Sequence, residues 1–343
     1  MKLLICAQTI DKNHPILGFF HGWVEEFSKH FSEVHVICLQ KGEHTLPPHV
    51  YVYSLGKEDG ESNLKYLYRF YKYFGKIFFS VRVDFVFFHM GAIFNIIASP
   101  FFLLRKIWGT KFYWWKAHGH INVIGKLALC FVDRVYTSTE SGFSVDTPKR
   151  HVAGQAIDVG QFVMPSPSVE RHAEVIFVGR IMPVKRIEDV LETAALLHEK
   201  YPHVRYTIIG PIGDEAYYET LKAQCAQNNL SDFVHFAGTK LQSELVPIYQ
   251  HARVLLNTSV THSMDKTVLE AMLCGCIPVT GNRAFAELLL VHGLYKEDCT
   301  PASYAEIISS VFDRDVSRLQ EVLHEKVAQG HSLQTFPSRI FGV

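Results

Sequence analysis

Short apolar runs alternate with amphipathic stretches along almost the whole chain. Runs at residues 3–7, 34–39, 85–89, 111–115 and 132–139 in the first half each read as a strand buried on both faces. Runs at 175–181, 205–211, 234–238, 254–258 and 277–280 do the same in the second half. Between them lie stretches of helical period, such as 18–31, where Trp23, Val24, Phe27 and Phe31 share one face. Strand and helix in regular alternation predict α/β architecture, here two doubly wound parallel sheets.

Two apolar stretches need separate treatment. Residues 85–104 contain no Asp, Glu, Lys or Arg, and twenty residues is about the length that crosses a bilayer. His89, Asn95, Ser99 and Pro100 interrupt the run, so a buried strand at 85–89 followed by a helix over 94–108 accounts for it better. Residues 64–80 predict a helix with Lys65, Arg69, Lys72 and Lys76 on one face and Leu67, Phe70, Tyr71 and Phe74 on another. That face fits either a solvated helix over the domain core or a peripheral contact with an anionic membrane.

A chain of 343 residues holds two domains of ordinary size. Its formal net charge is zero, which gives no global pull toward nucleic acid. The balance is uneven: residues 1–150 carry 18 Lys/Arg against 12 Asp/Glu, and residues 151–343 carry 16 against 22. Seven cysteines without CxxC spacing read as reduced thiols of a cytoplasmic protein, and the N-terminus enters a strand directly, without a secretory pattern.

The most informative stretch is 255–280, LLNTSVTHSMDKTVLEAMLCGCIPVT. An apolar strand ends at Asn257, Thr258 and Ser259, a polar loop follows, then a helix with Val268, Leu269, Met272 and Leu273 at helical spacing, stopped by Gly275. The free amides of Lys266, Thr267 and Val268 at such a helix start would face an anion. Glu270, one turn further, suits the vicinal hydroxyls of a ribose, or is an ordinary surface glutamate. A second stretch, VIFVGRI at 175–181, ends in Gly179 and Arg180, with Lys185 and Arg186 opening the next helix. Two strand-end cations across a short loop can converge on one diphosphate.

Together these stretches resemble the C-terminal half of the family 4 retaining glycosyltransferases, which have the GT-B fold. Gly179-Arg180 with Lys185, and Glu270-Ala271-Met272 followed by Cys274-Gly275 and Pro278-Val279, carry the resemblance. It implies two Rossmann-like lobes facing each other across a cleft. The expected divisions are 1–160 for the acceptor lobe, 161–172 for the hinge, 173–325 for the nucleotide-sugar lobe and 326–343 for a tail packing back on the first lobe. Arg180 and Lys185 would grip the donor diphosphate, Glu270 the ribose, and the amides at 266–268 a phosphate. Gly18 in the first loop and His118 after the strand at 111–115 would reach donor or acceptor. The strand-end residues Gly210, Pro211, Lys240 and Leu241 would hold the base through backbone groups. The family's first glutamate is His262 here, so the neighbouring Ser263, Asp265 and Lys266 join His262 as candidates for the sugar contact, and Met264 among them completes the substrate-binding loop.

Asp313-Arg314-Asp315 has the spacing of a metal motif, but it follows a helical pattern and reads as a solvated helix end. No metal or cofactor is therefore expected. The reading is a retaining glycosyltransferase of the hexosyltransferase class, moving a sugar from a nucleotide diphosphate sugar to a glycan, lipid-linked or small-molecule acceptor, as in cell-surface polysaccharide synthesis. It would act in the cytoplasm or at the inner face of the membrane. The alternatives are a non-catalytic nucleotide-sugar-binding protein on the same scaffold, which the His262 departure suggests, and a sugar-nucleotide epimerase.

Overall fold

Near-continuous apolar strands such as FVFFH and ARVLLN bury side chains on both faces, and they assemble into two sheets whose neighbours all run parallel. The computed structural model describes residues 1–166, 169–261, 263–297 and 299–343. These fall into two units, Met1–Ala156 with Leu333–Val343, and Ile157–Ser332.

The first unit contains β1 Lys2–Ile10, α1 Phe19–Ser28, β2 Glu33–Lys41, β3 Val50–Ser54, α2 Asn63–Lys76, β4 Phe85–His89, α3 Ala92–Ile97 and α4 Ser99–Leu104. It continues with β5 Lys111–Trp115, α5 Val123–Ala128, β6 Arg134–Thr137 and β7 Arg150–Val152. The seven strands are ordered β3-β2-β1-β4-β5-β6-β7. Side chains alternate across the sheet: Leu3, Ile5 and Ala7 join the core under α1, while Leu4 and Cys6 join Phe70, Phe74, Phe101 and Phe102 under the helices of the other face.

The second unit contains β8 His172–Val178, α6 Ile187–His198, β9 Arg205–Ile209, α7 Glu215–Gln227, β10 Val234–Gly238, α8 Gln242–His251, β11 Ala252–Asn257 and α9 Lys266–Leu273. It ends with β12 Ile277–Thr280, the short α10 Ala286–Leu289, α11 Pro301–Phe312 and α12 Ser317–His331. Its sheet order is β10-β9-β8-β11-β12. The chain then returns to the first unit as α13 Phe336–Phe341. There Phe336 packs 4.6 Å from the Trp23 ring, and Tyr136 Oη donates to Ile340 O at 2.7 Å.

The structure departs from expectation in three places. The helix expected over 94–108 is broken at Ala98 (φ −83°, ψ −2°), because Pro100 has no amide to bond back to the preceding turn and sits instead in the first turn of a new helix; α4 then runs into a 3₁₀ turn at Arg105–Ile107. The helix expected over 64–80 ends at Lys76 and continues as a π-helical turn, Ile77–Val81. The edge strands β3 and β7 have no counterpart among the expected strands. Among the described residues no helix is long and apolar enough to cross a membrane.

Candidate functional site

In an open parallel sheet, ligands bind beyond the carboxyl ends of the strands where the order reverses. In the second unit that point lies between β8 and β11, which pair directly although β9 and β10 separate them in sequence. Everything expected to grip a diphosphate leaves the sheet there.

Three strand-end loops are knitted together by backbone hydrogen bonds. Gly179 N donates to Ile209 O at 2.9 Å, Ile181 N to Pro211 O at 2.9 Å, and Gly210 N to Gly238 O at 2.9 Å. Gly210 takes φ +147°, and a Cβ there would lie 1.9 Å from Gly179 O, so only glycine lets these two loops touch. Arg180 leaves this knot exposed to solvent, with no ion pair to a described residue.

Lys185 is placed differently. It ends a 3₁₀ turn, Pro183–Lys185, zipped to the β11 exit by Thr258 Oγ1 donating to Lys185 O (2.6 Å) and Val260 N donating to Val184 O (3.3 Å). Its ammonium donates to both carboxylate oxygens of Asp265 at 2.9 Å and to Ser259 Oγ at 3.2 Å. Asp265 is the N-cap residue of α9, yet its side chain makes no capping bond and serves Lys185 and Asn257 Nδ2 (2.9 Å) instead. Asn257 Oδ1 in turn accepts from Thr280 Oγ1 at 2.9 Å. The pair is mostly buried, its side chains 13% and 16% exposed. Arg186 turns away to pair with Asp189 at 3.0 Å.

Glu270 is not a surface glutamate: it is 4% exposed. Its carboxylate accepts from Gln242 Nε2 (3.3 Å) and Tyr249 Oη (3.2 Å), both on α8. Burial pushes its pKa up, opposed by Lys266 one turn back on the same face and by those two donors. Burial likewise pulls the Lys266 ammonium down, opposed by Glu270. Helix α9 thus starts with a half-buried cation and amides at its positive end, with a buried carboxylate one turn inside. Met264 is buried at its approach, and Ser263 Oγ bonds Thr261 Oγ1 at 2.8 Å.

The structure therefore brings Lys185, Asp265 and the start of α9 together, sets Gly210 and Pro211 against Gly179–Ile181, and ties the loop carrying Lys240 and Leu241 to Glu270 through Gln242, the next residue. Gly18 and His118 belong to the first unit. Gly18 precedes α1, and a Cβ there would meet His14 O at 2.7 Å, which gives it a packing reason to be glycine. His118 is exposed beyond β5, its Nδ1 accepting from His120 N at 3.4 Å. His262 lies outside the described residues. Asp313 follows the last residue of α11 and accepts from Lys200 Nζ (2.7 Å) and Tyr201 Oη (2.6 Å), while Asp315 accepts from Ser317, so the two acids serve separate local partners. Sequence reasoning missed Gln242 and Tyr249 beneath Glu270, and the contact of Asn257 and Ser259 with the Lys185–Asp265 pair. Asn257, Thr258 and Ser259, at a strand's carboxyl end, were the available signal.

Two doubly wound sheets, one with strand-end cations facing a helix that carries a buried glutamate, define a protein of the GT-B fold. Residues 163–327, within the second unit, match the family described as "Glycosyl transferases group 1". A stretch of 160 residues, 45% of this chain, is 32% identical to D-inositol 3-phosphate glycosyltransferase of Mycolicibacterium smegmatis, and the match spans 36% of that protein. The enzyme of the same name from Corynebacterium glutamicum is 26% identical over 157 residues, 43% of this chain and 37% of that one. The chain thus matches only about a third of the length of these curated relatives. Over nearly the whole chain, the fold is similar to that of Anabaena HepE in complex with UDP (TM-score 0.76, 17% identity, 99% of this chain and 98% of that one). It is also similar to sucrose-phosphate synthase from Thermosynechococcus elongatus (TM-score 0.74, 14% identity, 98% and 96%).

Proposed function

We propose that this protein transfers a sugar from a nucleoside diphosphate sugar to a glycan, lipid-linked or small-molecule acceptor, with retention at the anomeric carbon. The observation that supports this best is the Lys185 ammonium held against the N-terminus of α9, one turn from the buried Glu270. A diphosphate between Lys185 and the α9 amides would have its charge met by a cation and a helix dipole, with the ribose falling to Glu270. Arg180, strand-anchored and without an ion pair among the described residues, would add its planar fork as charge builds on the leaving diphosphate.

Lys185 must release one Asp265 oxygen to take up a phosphate oxygen. The freed carboxylate then stands beside the diphosphate, where the transferred sugar would lie, and can accept from its hydroxyls. For Gly18 and His118 the proposed roles rest on the family resemblance alone, as does the place of His262 beside the sugar. Retention fits attack from the leaving-group face, with a diphosphate oxygen taking the acceptor proton. That route needs no pair of protein carboxylates acting as nucleophile and acid. Synthesis of cell-surface polysaccharide from the cytoplasmic side is the setting this chemistry suggests.

HepE is described with UDP and with UDP-glucose, so uridine donors come first in the test. Thermal stabilisation by a panel of nucleotide sugars identifies the donor, because a ligand that binds only the native state raises the melting temperature. Release of nucleoside diphosphate is then measured with and without acceptors. Acceptor-dependent release supports transfer. Binding with no release under any acceptor points to a sugar-nucleotide-binding protein.

A further inference from the structure

In the first unit, one layer of helices is both cationic and apolar on its outer side. Residues 63–132 hold ten Lys/Arg and a single acid, Asp84. The elements α2, the Ile77–Val81 turn, α3, α4 and α5 all cover the same side of the sheet, since Phe70, Phe74, Phe78, Phe94, Phe101, Phe102 and Ala128 share one core. Helix α4 is central: the Phe101 ring lies 6.1 Å from Tyr71 and 6.1 Å from Phe79, and the Phe102 ring 6.2 Å from Phe131.

Outward from this layer stand large apolar side chains that are largely exposed: Leu103 is 71% exposed, Ile107 58%, Phe79 49% and Val123 80%. Trp108 and Arg82 lie together, guanidinium 4.2 Å from the ring centroid. Seven of the ten cations fall into two sets. Lys65 and Arg69 both turn to Glu61, at 2.6 and 2.9 Å, and Arg105 to Asp133, at 3.0 Å. Lys72, Lys76, Lys106 and Lys126 make no ion pair with a described residue. The four cations singled out on α2 in the sequence are thus reduced to two, and the cationic surface extends onto other elements.

We infer that this helix layer is a docking surface for an anionic lipid bilayer, with Phe79, Leu103, Ile107 and Trp108 entering the interface and Lys72, Lys76, Lys106 and Lys126 meeting the headgroups. Charge and composition choose the occupant. Aromatic and leucine side chains interspersed with lysines and almost no acid match the boundary of an anionic leaflet. An apolar protein partner would leave four lysines desolvated. Among the described residues no helix is long and apolar enough to span a bilayer.

The test is co-flotation of the full chain with vesicles of phosphatidylcholine alone and of phosphatidylcholine with phosphatidylglycerol, at low and high salt. Binding only to the anionic vesicles, weakened by salt, is expected. Lys72→Gln with Lys76→Gln should lower the partition coefficient about thirtyfold, roughly fivefold per cation. Leu103→Gln with Trp108→Gln should lower it at both salt concentrations. All four positions are at the surface, and unchanged melting temperatures would show the variants folded. Equal binding to neutral vesicles, or wild-type binding by both double variants, would overturn the inference. So would absence of vesicle binding together with self-association in sedimentation that Leu103→Gln abolishes, because a second copy would then cover the face.

Discussion

Replacing Asp265 with asparagine separates what the Lys185–Asp265 pair does for the fold from what it does for a ligand. Asp265 gives Lys185 two charged hydrogen bonds at 2.9 Å and accepts a third from Asn257. The asparagine side chain would keep one acceptor, lose the charge and leave a mostly buried ammonium with only Ser259 Oγ and an amide oxygen. A hydrogen bond to a charged group is worth about 1.5–3 kcal/mol, so the second unit should lose roughly 2 kcal/mol, or about 4–8 °C in melting temperature. Affinity for a bare nucleoside diphosphate should move the other way. A carboxylate about 6 Å from a phosphate charge repels it by up to about 3 kcal/mol at an effective dielectric constant of 20, less with solvent screening. Lys185 also no longer has to be drawn off its partner. About tenfold tighter binding of UDP, GDP or ADP is expected, whichever the wild type binds. Denaturant melts and titration calorimetry on the same preparation read both quantities. Lower stability together with weaker binding would contradict this, since Asp265 would then be building the phosphate site rather than occupying its cation.

Arg180→Ala and Lys185→Ala should each lower turnover about a hundredfold while weakening donor binding less, the pattern of charge met in the transition state; steady-state kinetics with the identified donor reads it. Glu270→Gln should weaken nucleoside diphosphate binding by about 1.5–3 kcal/mol. The ionised carboxylate is the form that accepts from ribose hydroxyls, and burial raises its pKa, so wild-type affinity should fall on acidification starting above the ordinary carboxylate range. Calorimetry at stepped pH should show that fall in the wild type and not in Glu270→Gln. Gly210→Ala should destabilise the second unit by more than about 3 kcal/mol in a denaturant melt, because the added Cβ meets Gly179 O with no flexible group to yield.

Which parts of this molecule could be read from the sequence follows from the range of the forces involved. Strands β4, β5 and β12 coincide with their apolar runs because burial on both faces leaves few polar positions inside them; β10 coincides with its run as well, although it lies at a sheet edge and is mostly exposed. β3, VYVYS, lies at a sheet edge and only partly buried, so its pattern is weaker, and β7 has three residues. Ala98 ends α3 through the geometry of Pro100 two residues on, a break that a count of apolar positions passes over. Arg180, Lys185 and Glu270 were legible because each stands at a fixed offset from a strand end or helix start. Their partners were not: Lys185 meets Asp265 across 80 residues of chain, and Tyr249 reaches Glu270 from a different helix, contacts that only the folded sheet creates. The true extent of the basic face was hidden for a similar reason, because Glu61, which draws off Lys65 and Arg69, lies just outside α2.

The switch point of the second sheet is the proposed seat of the nucleoside diphosphate sugar, and a crystal structure of the protein with its best-binding nucleotide is the direct test. The diphosphate is expected within hydrogen-bond distance of Lys185 Nζ and of backbone amides at the start of α9. The ribose hydroxyls should lie on Glu270, and Asp265 should be freed of at least one bond to Lys185. A nucleotide bound elsewhere, or bound there while Glu270 keeps only Gln242 and Tyr249, would contradict it.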